Sequence, residues 1–416
     1  MASFGDILNT ASAQPTAAHL WQLENQVLQN RQASEIWVHP QVFRGFSLNH
    51  TTLKSVLQPA PKQGAKPAAF SDAEIALPMP DGTQERFRFV ESPIMAPELA
   101  AKFPQIKTYA GQGIDDPSAT VRFDITPAGF HAQILSPKGA VYVDPHYRGN
   151  TNLYVSYYKR DYRRAARDFE CFTAAGEPTT MAKALVKPLV VSGGNLRTYR
   201  LAVAATGEYT TFQGGTVTAG MAAIVTAINR VSGVYESEVA IAFQLVANNN
   251  LLVYTNAATD PYSNNNSTSL LSQNQSNIDF VIGSANYDIG HVFSTAGGGL
   301  AAVGVVCTAG NKARGETGTS SPTGDSFTSI TLRTKWATSS EPFILSTARS
   351  APVVVGIGPG ATHTSPAAGQ PSWHTQEFAA ATTFRRTAIP IFIPQAWMKS
   401  SRIPLPGRAA VVRSRP

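Results

Sequence analysis

The chain has 416 residues, 43% of them apolar, enough for two or three domains with cores of their own. It holds no run of about 18 apolar residues, so no transmembrane helix is expected; its start, MASFGDILNTASAQ, shows no basic-then-apolar signal peptide. The net charge of +7 is no nucleic-acid footprint: ten of the 34 Lys and Arg, but only two of the 27 acids (Glu341 and Glu377), follow Phe327.

Residues 1–69 are mixed, with helical hints over Leu20–Leu28. PAPKQGAKPAAF, from Pro59 to Phe70, is linker-like. Residues 70–173 read as β-rich. ERFRFVES alternates, and three further runs follow: Val121, Phe123 and Ile125; Phe130, Ala132 and Ile134; Val141 and Val143. TPAG and SPKG separate them as turns, which predicts an antiparallel sheet. YYKRDYRRAARDFECF is basic and has the look of a protease-accessible segment, and 174–196 is a linker.

A second domain is expected from 197. Tyr199, Leu201 and Val203 alternate as a strand. Met221, Ile224, Val225 and Ile228 recur at i, i+3, i+4 and i+7, so TVTAGMAAIVTAINRVSGVYESEV is a helix. AIAFQLVANNNLLVY is a strand leading to a turn, and STSLLSQNQSNIDFVIGSA is a helix with Ser and Thr as caps. IGHVFS and GGGLAAVGVVC close the series as strands, giving an α/β sandwich.

After Phe327 the composition changes. The last 89 residues contain no Asp, ten of the 28 prolines and an excess of bases. Cys171 and Cys307 make no disulfide framework; one bridge or two separate thiols are equally open.

YRLAVAATGEYTTF, AAIVTAINRVSGVYESEVAIAFQLVANN, SANYDIGHVFSTAGGGLAAVGVVC and GNKARGETGTSSPTGDSF resemble the bacterial reprolysin-like metallopeptidases of the metzincin group. The resemblance covers about 198–327, and the β-rich region before it looks like a prodomain. It implies a β-rich prodomain, then the N-terminal part of an α/β catalytic domain over 197–327. The next element should be a helix carrying H-E-x-x-H-x-x-G-x-x-H: three His for zinc and a Glu as general base on its water. None of the eight His has that spacing, and Thr334, Lys335 and Thr338 stand where His, Glu and His are due.

A one-base slip just after Phe327 accounts for the composition and for the missing motif. One synonymous back-translation of TSITLRTKWATSSEPFILSTA, moved back by one base, contains H-E-M-G-H-Q-F-G-A-V-H. PSWHTQEFAA, from Pro371, shifts to I-M-A-Y-A-G, like a Met-turn. QAWMKSSRIPLPGRAAVV shifts to an acid-containing helix and turn. The expectation is therefore a frameshifted precursor whose residues 328–416 are a non-native, disordered tail. The other reading is a genuine basic, Pro-rich tail.

For the intact parent the resemblance implies a secreted or cell-surface zinc endopeptidase acting on peptides or proteins. Its edge strand would be Gly299, Leu300, Ala301, Ala302, Val303 and Gly304, pairing with extended substrate. Cys171 reads either as a thiol that caps zinc in the latent form or as a plain thiol, and Cys307 as half of a parental disulfide. His291 reads as a core residue, and Glu208 as a structural carboxylate ahead of an ion-site one. His363 and His374 receive no role. For this chain neither zinc binding nor proteolysis is expected, and with its covering helix replaced the α/β sheet should be poorly stable. The alternatives are a non-enzymatic prodomain-like module and a binder using the basic tail. No nucleic-acid partner is expected, and oligomeric state is open.

Overall fold

The computed structural model describes residues 20–24, 35–65, 67–162, 171–174, 196–302, 304–324 and 327, and of 171–174 the backbone only. Everything described falls within one compact unit, Met1–Ala348. The expected tail, 328–416, lies outside the described residues.

The first layer is a sheet of nine antiparallel strands: β1 Trp21–Glu24, β2 Arg44–Leu48, β3 Glu74–Pro78, β4 Gln84–Glu91, β5 Lys107–Gly113, β6 Thr120–Thr126, β7 Gly129–Leu135, β8 Val141–Pro145 and β9 Leu153–Tyr158. Their order is β1-β2-β9-β8-β7-β6-β5-β4-β3. The sheet nearly closes on itself. Trp21 Nε1 donates to the Ala76 carbonyl at 3.0 Å and Gln84 Nε2 to the Trp21 carbonyl at 3.3 Å, so β1 faces β3. Alternation fills the interior: Val121 and Phe123, Phe130, Ala132 and Ile134, and Val141 and Val143 all point into one apolar cluster. The three runs and their turns are where the sequence pattern puts them.

The helical hint at Leu20–Leu28 is corrected. Residues 21–24 form β1, paired in register with β2 from Trp21↔Leu48 to Glu24↔Gly45. A four-residue segment takes its state from its hydrogen-bonding partner, which local periodicity cannot anticipate. Two short helices also interrupt the β pattern: α1, His50–Leu57, capped by the Asn49 side chain, and α2, Pro97–Lys102, begun by a proline that lacks the N–H a first turn leaves idle.

The second layer is a six-stranded mixed sheet: β10 Cys171–Ala174, β11 Arg197–Ala205, β12 Ile241–Leu245, β13 Ile289–Ser294, β14 Gly298–Ala302 and β15 Gly315–Gly318, ordered β10-β14-β15-β13-β11-β12. Only the β14–β15 pair is antiparallel. α3, Gly207–Gln213, starts at the Thr206 cap. α4, Val217–Val239, starts at the Thr216 cap and ends where Ala240 turns left-handed at φ 55°. α5, Ser267–Val281, is capped by Asn266, one residue ahead of the expected Ser and Thr.

α4 packs Ile224, Val225, Ile228 and Val231 on one face of this sheet, and α5 packs Leu270 and Ile278 on the other. By length and composition α4 is the one helix among the described residues able to cross a membrane, but it is largely buried inside the fold, as a core helix is. Its second face lies on β6 and β7 of the first sheet. The two layers are thus joined through one helix buried on both sides.

Candidate functional site

The site is the β14 edge together with the point at which the chain reaches Phe327. β13 and β14 are joined by a tight connection that β15 closes over. A Cβ on Gly318 would lie 2.1 Å from Ser294 Oγ and 2.3 Å from the Ala296 carbonyl, so only glycine fits beside that turn. β15 then runs antiparallel to β14, from Gly298↔Gly318 to Ala301↔Gly315.

The predicted edge residues separate into three groups. Gly299, Leu300, Ala301 and Ala302 are on β14. The strand ends at Ala302, and Val303 is outside the described residues. Gly304 follows the end with φ at 72°, a left-handed conformation that does not continue a strand. The outer side of β14 is occupied: β10 pairs with it in parallel, Cys171↔Gly299 through Ala174↔Ala302. That pairing carried no local signal, because CFTA is too short to declare itself. Cys307 is a free, exposed thiol with left-handed φ of 60° and takes part in no disulfide. Burial, with Asp288 near it, pushes the Cys307 thiol up despite Lys312 and Arg200.

Beyond β15 the chain returns to the core. Gln213 Nε2, at the end of α3, donates to the Pro322 carbonyl at 2.9 Å. Phe327 is then buried against Tyr209 and Phe293, with ring centroids 5.6 and 5.1 Å away. The chain is therefore delivered onto the face of the sheet that α4 already covers in part. A cavity of about 340 Å³ opens here, lined among others by Trp37, His131, Arg148, Thr226, Arg230 and Phe327. Its cations are held by protein groups. Arg230 is paired with Asp144 at 2.6 Å, and Arg148 with Glu35 at 2.7 Å, its guanidinium 4.2 Å from the ring centroid of Trp37 and 4.7 Å from that of Phe212.

Among the described residues no three His, Cys, Asp or Glu side chains converge as a metal site. Four of the five described histidines contact groups that form no common metal site. His291 is buried with Nε2 2.9 Å from Thr317 Oγ1, a core position as read from the sequence. His131 Nδ1 lies 2.9 Å from Asp124 Oδ1, and His50 Nε2 lies 3.1 Å from Asn152 Oδ1. His146 is packed between Phe43 and Tyr147. This donor set does not fit zinc, whose structural sites take four ligands and catalytic ones three plus water. Thr334, Lys335 and Thr338 lie outside the described residues. Glu208 stands in the first turn of α3, where a carboxylate suits the helix N-terminus, and its Oε2 is buried without a hydrogen-bond partner.

Sequence reasoning missed the polar seam between α4 and the first sheet. Thr226 Oγ1 donates to Asp124 Oδ1 at 2.8 Å, Asn229 Nδ2 to the Phe123 carbonyl at 2.9 Å, and Arg122 to Glu236. Signals were present: Asn229, Arg230 and Gly233 interrupt an apolar helix. A Cβ on Gly233 would sit 2.6 Å from Arg122 Cγ.

The family profile described as Metallo-peptidase family M12B Reprolysin-like matches residues 221–334. The match opens inside α4, takes in β12 to β15 and Phe327, and stops at Thr334. No curated protein matches the chain.

Proposed function

From the premise that residues 221–334 are reprolysin-like, of the metzincin kind, we propose that this chain is the product of a secreted zinc metalloendopeptidase gene read out of frame after Phe327. It keeps the substrate-supporting sheet and lacks the catalytic centre. The observation that carries the reading is where the match ends: at Thr334, the first of the positions at which a zinc ligand is due. Zinc, when bound by the parent, supplies a water acidic enough to ionise near neutral pH. No three described His, Cys, Asp or Glu side chains converge to hold it.

In the parent, β14 would offer its free backbone groups to an extended peptide or protein substrate. In this chain β10 holds that place, with Cys171 opposite Gly299. This supports a latent arrangement in which the segment around Cys171 blocks the edge, its thiol being the candidate zinc cap of the parent.

The test is to sequence the gene across the codons for Asp325 to Ala380 and to express the chain in both frames. The expected result is that the shifted frame encodes H-E-x-x-H-x-x-G-x-x-H. The restored protein then carries one zinc and cleaves denatured casein, while the written chain does neither. A shifted frame without that motif, or casein cleavage by the written chain, refutes the proposal.

A further inference from the structure

We propose that the β-rich layer, residues 20–162, is not a detachable propeptide but a permanent partner of the α/β layer, remaining bound to it without a covalent link. How the two pieces of this chain hold one another does not depend on zinc.

The first anchor is at the β12 edge. Leu245 N donates to the Ile94 carbonyl at 2.7 Å, and Ala96 N donates to the Leu245 carbonyl at 2.9 Å. The first layer therefore supplies the backbone groups that close the end of β12. α2 follows directly, and Leu99, Phe103 and Ile106 are buried in the same cluster as Leu201, Phe243 and Leu245. These residues complete the core of the second layer. Lys102 Nζ fastens the end of α2 to Asn248 Oδ1 and Asn250 Oδ1, at 3.2 and 3.1 Å. Stripped of this plug, the second layer would present an unpaired edge strand carrying Ile241, Phe243 and Leu245, an invitation to aggregate.

The second anchor is the polar seam on α4. Arg230 and Asp144 are both buried and 2.6 Å apart, and Gly233 leaves room for Arg122. Such a seam sets register and partner choice, whereas apolar burial supplies most of the affinity. The third anchor is at the end of α3, where Trp37 stacks on Phe212 at 5.4 Å and Arg148 donates to the Phe212 carbonyl. Three anchors on separate elements must open together for release, so dissociation is slow even when each alone is modest. Among the described strands β10 alone pairs with the outer side of β14, so scission could clear β14 while residues 20–162 stay in place.

The experiment places a site-specific protease sequence within residues 163–170 of the full chain, so that β10 stays with the α/β piece after cutting. The cut protein is run on size exclusion at about 0.15 M and about 1 M salt, since an apolar plug is insensitive to screening. The expected result is co-elution of both pieces at the position of the intact chain in both buffers. Leu99→Asp should separate them. Lys102→Ala, which leaves the core untouched, should shorten their half-life together several-fold. Separation of the cut parent pieces at neutral pH, or precipitation of the α/β piece with the β-rich piece left in solution, overturns the proposal. So does co-elution unaffected by both substitutions.

Discussion

Arg230→Met tests the buried ion pair on which the two layers meet. Arg230 is 2% exposed and Asp144 3%. Asp144 Oδ1 accepts from Arg230 at 2.6 Å, and Oδ2 accepts from the Tyr157 hydroxyl at 2.7 Å. Burial works against charge on Arg230, but Asp144, Tyr157 and Asp124 together outweigh it and hold the guanidinium ionised. Methionine keeps most of the volume but stops two atoms short of the guanidinium nitrogens, so the main loss is one of charge and hydrogen bonding, with Asp144 left buried on the Tyr157 hydroxyl alone. Breaking one side of such a pair costs about 3–5 kcal/mol, whereas replacing both sides with apolar groups is often close to neutral. With a urea m-value of about 3 kcal/mol/M for a unit of this size, the midpoint of unfolding followed by circular dichroism should fall by about 1 M or more. Arg230→Met combined with Asp144→Leu should recover most of that fall. A single variant whose midpoint matches the parent, or a double variant that loses the sum of both singles, would refute the reasoning.

Gly290→Ala places a Cβ 2.4 Å from Ala313 Cβ and 2.8 Å from its Cα, backbone that cannot step aside, so a loss of about 3 kcal/mol in the same urea assay is expected. Gly233→Ala gains about 1 kcal/mol of helix propensity. It also crowds Arg122 Cγ at 2.6 Å, at a cost of about 1–3 kcal/mol, so the net change should be a small loss. His146 is pushed down from its ordinary 6.5 to about 4, first by burial and then by the charge of His39. Above pH 6.5 it is neutral in both states; below that the unfolded chain takes up a proton that the folded one refuses. Stability should therefore fall by about 3 kcal/mol as pH drops from 6.5 to 4, and His146→Phe should lose that slope in pH-dependent urea melts. Asp288 is raised by burial but lowered more by hydrogen bonds and charge from Arg200, leaving it below its ordinary 3.8. Its contribution is present above about pH 4 and lost below, so Asp288→Asn should flatten only the most acidic part of the profile.

The sequence by itself determined the elements whose signal is local. α4 and α5 follow from apolar residues at helical spacing, β6 to β8 from strict alternation between good turns, β11 from the alternation of Tyr199, Leu201 and Val203, and β12 and β13 from short, largely apolar runs. The absence of a zinc signature is likewise complete in one dimension, since the motif is a fixed spacing on one helix. Only the tertiary structure decided what depends on a distant partner. β1 is a strand because β2 and β3 flank it, against a weak helical hint. β14 ends at Ala302, short of the apolar run, because its partner β15 begins opposite at Gly315. CFTA became β10 through the edge it found. Arg122, Asp124 and His131 alternate with the inward-pointing Val121, Phe123, Phe130 and Ala132, and nothing in the sequence says that α4 covers them. A polar residue facing away from one core reports nothing about whether water or another element lies beyond it, and that depends on contacts about a hundred residues away in sequence.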